Sequence, residues 1–336
     1  MNDAQHGTRD QRGNWKPSAR VEYPPVFVWP VQPRGVFKWL FGAPGYLLPW
    51  NLFYAAIALV CWNYLTPALE TMQSFAPGWI AWLLLRNLAL AVVFYGAFHL
   101  YLYSRKAQGS AYKYNAKWLD QDSPRFLFRS QLLDNLTWSL ASGVTIWTAY
   151  EVVTLWAFAN GVIPFVSWEA HPVYNFLLMM LIPLYREVHF YLVHRLIHWP
   201  PLYRLVHRLH HNNVNPGPWS GLAMHPLEHA LYFSGVLVHW ILPSHPLHAV
   251  FNLLHAGISP APAHSGFDRV LLGKRGFQTE AYAHYLHHKF FECNYADGAI
   301  PLDRWFGTFH DGSDEAHAAM GRRIRARNAS RVSEAS

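Results

Sequence analysis

The sequence predicts an all-α, multi-span helical membrane protein. Its expected parts are about four transmembrane helices, a bent apolar hairpin and a histidine-rich helical region on one face of the bilayer. Three observations point there. Charged residues make up 14% of the chain against 52% hydrophobic, whereas soluble domains carry about a quarter charged residues. The 16 Trp, 18 Tyr and 21 Phe supply amphipathic rings of the kind favoured at headgroup level. Long apolar runs also alternate with loops whose positive charge changes in step.

Residues 1–45 form a polar, proline-containing segment with Arg9, Arg12, Lys16, Arg20, Arg34 and Lys38, without the apolar core of a signal peptide. Residues 46–193 are the expected membrane region. Apolar runs at 50–69, 79–103, 136–159 and 173–193 each approach the about 20 residues that cross a hydrocarbon core. The stretch 230–262 is apolar but interrupted by Pro243, Pro246 and Pro260, as in a hairpin that spans or only dips in. Loops 70–78 and 160–172 hold no Lys or Arg, whereas 104–135 holds Arg105, Lys106, Lys113, Lys117, Arg125 and Arg129. Positive loops stay cytoplasmic, which puts the N-terminus, this loop and everything after 193 on that side. Arg86, inside the second run, should face the protein interior or reach toward the surface. The net charge of +7 is dispersed, which suits a membrane surface and not a nucleic acid. Cys61 and Cys293 are isolated and offer neither a disulfide framework nor a thiolate metal motif. Residues 313–336 are polar and expected to lack structure.

Of 21 histidines, 18 fall between His189 and His317. His194 and His198 form HxxxH; His207, His210 and His211 form HxxHH; His284, His287 and His288 form a second HxxHH. Positions i, i+3 and i+4 share a helix face, so each box should aim its imidazoles at one point. Packed imidazoles repel when protonated and gain little when neutral, unless a metal takes their lone pairs. Isolated residues such as His239, His245, His248, His255, His310 and His317 instead suit interfacial packing. Eight clustered nitrogens exceed the needs of one tetrahedral zinc. No HExxH protease motif is present, and haem takes one or two axial histidines, not three groups. A pair of redox irons held by nitrogen is the sharpest reading. The line from 194 to 211 should be two ligand helices joined at Trp199-Pro200-Pro201.

The segments "HFYLVHRLIH", "LYRLVHRLHH", "MHPLEH", "AHSGFD", "HYLHHKFFECNY" and "PLDRWFGTFHDG" follow one another over 189–312. Together they resemble the fatty acid hydroxylase and sterol desaturase superfamily of integral-membrane di-iron oxygenases. The resemblance implies a histidine-box catalytic region, 189–312, with its di-metal site on the cytoplasmic face. It implies two irons, O2 as co-substrate and electrons from a partner of cytochrome b5, ferredoxin or reductase type. The reaction would be hydroxylation or desaturation of a sterol, fatty acyl or sphingoid lipid. The metal ligands it implies are His194, His198, His207, His210, His211, His284, His287 and His288, with His264 of "AHSGFD" and His225 of "MHPLEH" at further recurrent positions. His229 begins an apolar segment and stands apart. With no "HPGG" segment and no Cys-rich iron–sulfur motif, the electron donor is expected to be a separate protein. Carboxylates often fix the tautomer of ligating histidines, and Glu187, Glu228, Glu280 and Asp268 are candidates for that role; ordinary salt bridges with Arg186, Arg195 or Arg269 are the alternative. Trp219 should rim an entrance or anchor its loop, and "RWFGTF" should form a lid or pack. A histidine-rich membrane metal transporter is the competing reading, but it needs a polar path through the spans. The spans before residue 180 hold only Arg86, His99 and Glu151.

Overall fold

A computed structural model describes residues 3–335 other than Lys274 and Asp297. Met1, Asn2 and Ser336, the extremes of the expected end segments, lie outside the described residues. The polar N-terminal segment is built around two short antiparallel strands, β1 (Gly7–Arg9) and β2 (Trp15–Pro17). Trp15 is buried against Tyr112 and Tyr114 of the basic loop. Val21 donates its backbone N–H to Asp311 O at 2.9 Å, so the strap after β2 is tied to the far end of the chain. A short helix, α1 (Pro33–Phe41), leads into the first membrane helix.

Three helices are long and apolar enough to cross a bilayer: α2 (Leu47–Leu65), α3 (Pro77–Ser104) and, later, Pro172–Ile197. Side chains such as Leu85 and Val93 project outward at 60% and 70% exposure, an apolar surface suited to lipid and not to water. The protein is an integral membrane protein on this evidence. The run predicted at 136–159 is helical and comprises Gln131–Thr137, a π turn at Trp138–Val144, and α4 (Thr145–Ala159). The helix runs unbroken through its π turn from 131 to 159, long enough to span, but it is less apolar than the other three and is not among the candidate spans. Three helices, not four, therefore stand out as spans. Instead α4 lies within the bundle, with Trp147, Thr148, Glu151 and Leu155 all buried.

Arg86 behaves as expected of a charge in a span. Its guanidinium pairs with Glu151 of α4, and it donates to Asn87 Oδ1 at 3.1 Å and Thr66 Oγ1 at 2.9 Å. Asn87 in turn donates to Glu151 Oε2 at 3.0 Å. The pair leaves neither of these two charges free to line a transport path.

Pro172–Ile197 is α5, and it delivers His194 in its last turn before Trp199 turns extended and Pro200 restarts the chain. A π turn, Tyr203–His207, then leads into α6 (Arg208–His211), so the two predicted ligand segments and their proline joint are present. Beyond a 3-10 turn come α7 (Pro226–Phe233) and α8 (Pro246–Ile258), the two arms of the apolar hairpin. Every residue of α8 except His255 is buried. At 13 residues it is a core helix packed among α2, α4 and α5, not an additional span. His245 and His248 close its N-terminus as a reciprocal capping pair, and His248 Nε2 meets Asn175 O at 2.9 Å. Such isolated histidines do structural work, as their isolation implied.

The remainder is a hairpin, β3 (Arg269–Leu272) with β4 (Arg275–Gln278), then α9 (Tyr282–Phe290) and α10 (Asp314–Ala335). The polar end segment is thus helical where its composition led us to expect none. Its Ala and Arg content favours helix, Asp314 and Glu315 suit the positive N-terminal end of the dipole, and Met320 is buried against the aromatic cluster of Trp15 and Tyr285.

Candidate metal centre

Nine of the ten histidines predicted as ligands converge, and they form two groups. His194, His198, His207, His211 and His287 make one; His210, His264, His284 and His288 make the other. Within each group the potential ligand atoms all lie within 4.8 Å of one another. The groups adjoin, with the His211 and His288 rings 5.0 Å apart between centroids.

The boxes do not each aim at one point, and the helix explains why. Residues i and i+4 differ by about 40° around the axis, whereas i+3 lies about 100° from i+4. The i, i+4 pairs 194/198 and 207/211 therefore serve one group and 284/288 the other. The i+3 members, His210 and His287, each cross to the opposite group. Each HxxHH box thus feeds both groups at once. The π turn ending at His207 adjusts its approach, and such turns recur at functional sites.

The nitrogens face inward. His198 Nε2 is 3.2 Å from His287 Nε2 and 3.2 Å from His211 Nε2. In the second group His264 Nε2 is 2.8 Å from His284 Nε2 and 3.2 Å from His288 Nε2. The protein orients the rings mainly through backbone carbonyls. Nδ1–H of His194 donates to Tyr295 O at 2.8 Å, His287 to Cys293 O at 2.7 Å, and His264 to Pro260 O at 3.0 Å; His210 makes a longer contact to Ala223 O at 3.4 Å. With those protons spent on carbonyls, His210 and His264 oppose bare Nε2 lone pairs at 3.4 Å. Lone pairs at that range repel unless a cation lies between them. Ligands about 2.1 Å from a metal stand about 3.0 Å apart at octahedral cis positions and about 3.4 Å apart in a tetrahedron. The observed separations match that range, and His207 Nε2 is buried with no hydrogen-bond partner. The donor set fits two metal ions.

Burial keeps these rings neutral. Eight of the nine are at most 3% exposed, with His198 partly buried. Burial pulls His198 down to about 2, helped by neighbouring His194 and His210, and His210 down to about 4. It holds His207, His211, His264, His284, His287 and His288 well below the usual imidazole range. A neutral imidazole is the ligating form.

A cavity of about 800 Å³ opens beside the cluster. His194, His207, His210, His264 and His284 lie on its wall, so both groups reach it. Trp50, Tyr54 and Phe190 make its walls apolar, and the strap Pro17–Pro25 lines its far side.

The fatty acid hydroxylase family profile matches residues 178–308, the region that carries every one of these ligating positions. The likeness to the fatty acid hydroxylase family is confined to that region. The chain is 29% identical over 135 residues to a Delta(7)-sterol 5(6)-desaturase of Gibberella zeae, a match covering 38% of this chain and 40% of that protein. It is 30% identical over 147 residues to a Delta(7)-sterol 5(6)-desaturase of Aspergillus fumigatus, covering 37% and 45%. A putative methylsterol monooxygenase of Dictyostelium discoideum is 29% identical over 128 residues, covering 37% and 47%. The chain spans less than half the length of each of these relatives. No solved structure matches it significantly.

Within the matched region some expected roles are filled differently. His225 is not brought to either group; its Nδ1 accepts from Leu227 N at 3.2 Å and caps α7. His229 bonds Ser142 and Leu222 O instead. Of the four candidate carboxylates Glu228 meets one of the clustered histidines, 2.7 Å from His207 Nδ1, and burial holds it well above the usual carboxylate range. Glu187 accepts from the amides of Ala299 and Ile300 at 2.9 and 2.6 Å. Asp268 pairs with Arg269 at 3.3 Å, and Glu280 lies on the cavity wall. Trp219 neither rims an entrance nor meets lipid: it is buried and stacks on Tyr95 at 5.1 Å. Trp305 and Phe306 of "RWFGTF" are exposed, and Phe306 stacks on Tyr191 at 5.6 Å. The strap and the cavity residues of α2 carried no sequence signal, because nothing in a polar N-terminal segment marks what it will pack against.

Proposed function

We propose that the protein is a membrane-bound non-haem di-iron oxygenase that uses O2 and external electrons to hydroxylate or desaturate a lipid. The observation that carries this reading is the division of nine buried imidazoles into adjoining groups of five and four with their nitrogens converging. His194, His198, His207, His211 and His287 would hold one iron; His210, His264, His284 and His288 would hold the other. Five and four nitrogens leave open positions on ions that accept six ligands. When bound, the irons supply the reduction of O2 and the removal of hydrogen from an unactivated C–H bond. The chain's own part is to keep the imidazoles neutral by burial and to fix their direction through the carbonyls of Tyr295, Cys293 and Pro260. Glu228 orients His207 in the same way. The cavity holds an apolar substrate against the group walls and keeps bulk water out. Electrons would come from a separate redox protein of cytochrome b5, ferredoxin or reductase type.

The charge pattern of the loops supports a cytoplasmic site and N-terminus. Trp15 N donates to Tyr114 O at 3.0 Å and Tyr114 N to Gly266 O at 3.0 Å, contacts that support a common side for the N-terminal strands, the basic loop and the histidine region. The reading is tested by profiling host lipids by mass spectrometry after expression with ample iron, comparing wild type with His210→Ala. Gain of one oxygen or loss of two hydrogens that depends on His210 is the expected result. No lipid change, together with less than one metal per chain, would refute it.

A further inference from the structure

The two arginines buried in membrane-spanning helices are treated in opposite ways. Arg86 on α3 has a carboxylate, an amide and a hydroxyl around it. Arg186 on α5 is 8% exposed and has no carboxylate partner among the described residues. Its Nη1 donates to Asn252 O at 3.2 Å and its Nη2 to Tyr232 OH at 3.1 Å. Both acceptors are neutral, and a guanidinium has five N–H groups to place. The guanidinium also lies over the Tyr232 ring at 5.4 Å, and an ionisable group inside a membrane protein without an ionic partner points to a functional site.

The cavity is where that partner would sit, because Arg186 lies on its wall beside Tyr232, Asn51 and His255. His255 Nε2 meets Asn51 Oδ1 at 3.0 Å, while its Nδ1 is buried with no partner. Three carboxylates of the cavity wall are engaged elsewhere: Glu187 with the amides of Ala299 and Ile300, Glu228 with His207, and Asp268 with Arg269. Arg186 and His194 are eight residues apart on α5, about 12 Å along the axis, and both face the same cavity. Pro183, Leu184 and Phe190 supply apolar wall on the same helix.

We infer that Arg186 binds an oxyanion at one end of the substrate, a carboxylate or a phosphate, while the reacting carbon lies some way along an apolar body, beside the histidines. Guanidinium is matched in shape and charge to those two groups and gains much less from a lone hydroxyl. The word substrate rests on the oxygenase reading; the anion site does not.

The test is equilibrium binding to the purified full-length protein in detergent, using radiolabelled palmitate, hexadecyl phosphate and hexadecanol. Wild type should bind at least one of the anions about tenfold or more tighter than hexadecanol, and the tighter anion separates carboxylate from phosphate. Arg186→Gln should bind all three alike, at the wild-type level for hexadecanol, and Arg186→Lys should keep part of the preference. Equal wild-type binding of all three, or a preference that survives in Arg186→Gln, overturns the inference. The wild-type comparison needs no variant, so it decides the matter even if Arg186→Gln fails to fold. Binding needs neither iron nor O2, so failure here leaves the oxygenase reading standing. An anion preference without lipid turnover would sink only that reading.

Discussion

His210 and His287 carry the strongest consequence at the scale of single residues, because each serves the group opposite its own box partners. Removing either should strip one metal position and spare the other. His210→Ala and His287→Ala are each expected to lower metal content from about two ions to about one per chain, read by elemental analysis. His225→Ala, the capping residue, should leave it unchanged. Glu228→Gln keeps the shape beside His207 but replaces the carboxyl group that orients the ring with an amide, and metal affinity should fall by about 10–100-fold in a chelator competition. Acid should act through the same rings. Burial holds His210 at about 4 against roughly 6.5 in an unfolded chain. Between those values the unfolded state binds more protons, so stability is full above about pH 6.5 and falls as pH drops toward 4. For this residue the loss is about 3 kcal/mol. A melting temperature of the metal-free protein that stays flat from about pH 7 to 4.5 would contradict it.

At the scale of elements, the Arg86–Glu151 pair joins α3 to α4 in a region where neither charge meets water. Glu151→Ala leaves a bare guanidinium and should cost about 3–5 kcal/mol, visible as a lower melting temperature in detergent. Arg86→Met combined with Glu151→Leu should recover most of that loss. The same helices show what a sequence can disclose. Runs near 50–69, 79–103 and 173–193 were legible as spans because length and apolarity are what lipid demands. The run at 136–159 and the stretch 230–262 are apolar too, yet they became the helix ending in α4 and the almost wholly buried α8. Hydropathy reports aversion to water and does not distinguish lipid from protein as the alternative. The histidine boxes stood out in the sequence, since i, i+4 spacing is local. Their division into two groups did not, because it depends on how α5, α6 and α9 face each other.

Across the whole molecule, the site is assembled from both ends of the chain. The strap Pro17–Pro25 closes one side of the cavity and is fastened by Val21 to Asp311 and by Lys16 to Asp314 at 2.6 Å. The proposed topology puts the N-terminus, the basic loop and the histidine region on the same face. Single cysteines at exposed Ser110 and Gln73 test it with an impermeant thiol reagent. Both native cysteines are buried and stay silent. Ser110→Cys should be labelled only when the cytoplasmic face is open to reagent, and Gln73→Cys only from the other side. The central claim is that nine imidazoles hold two irons, and metal content with Mössbauer spectroscopy of the iron-loaded wild type addresses it most directly. About two irons per chain in nitrogen-rich surroundings is the predicted result. A single ion, or none retained after purification under conditions that keep the fold, would contradict it.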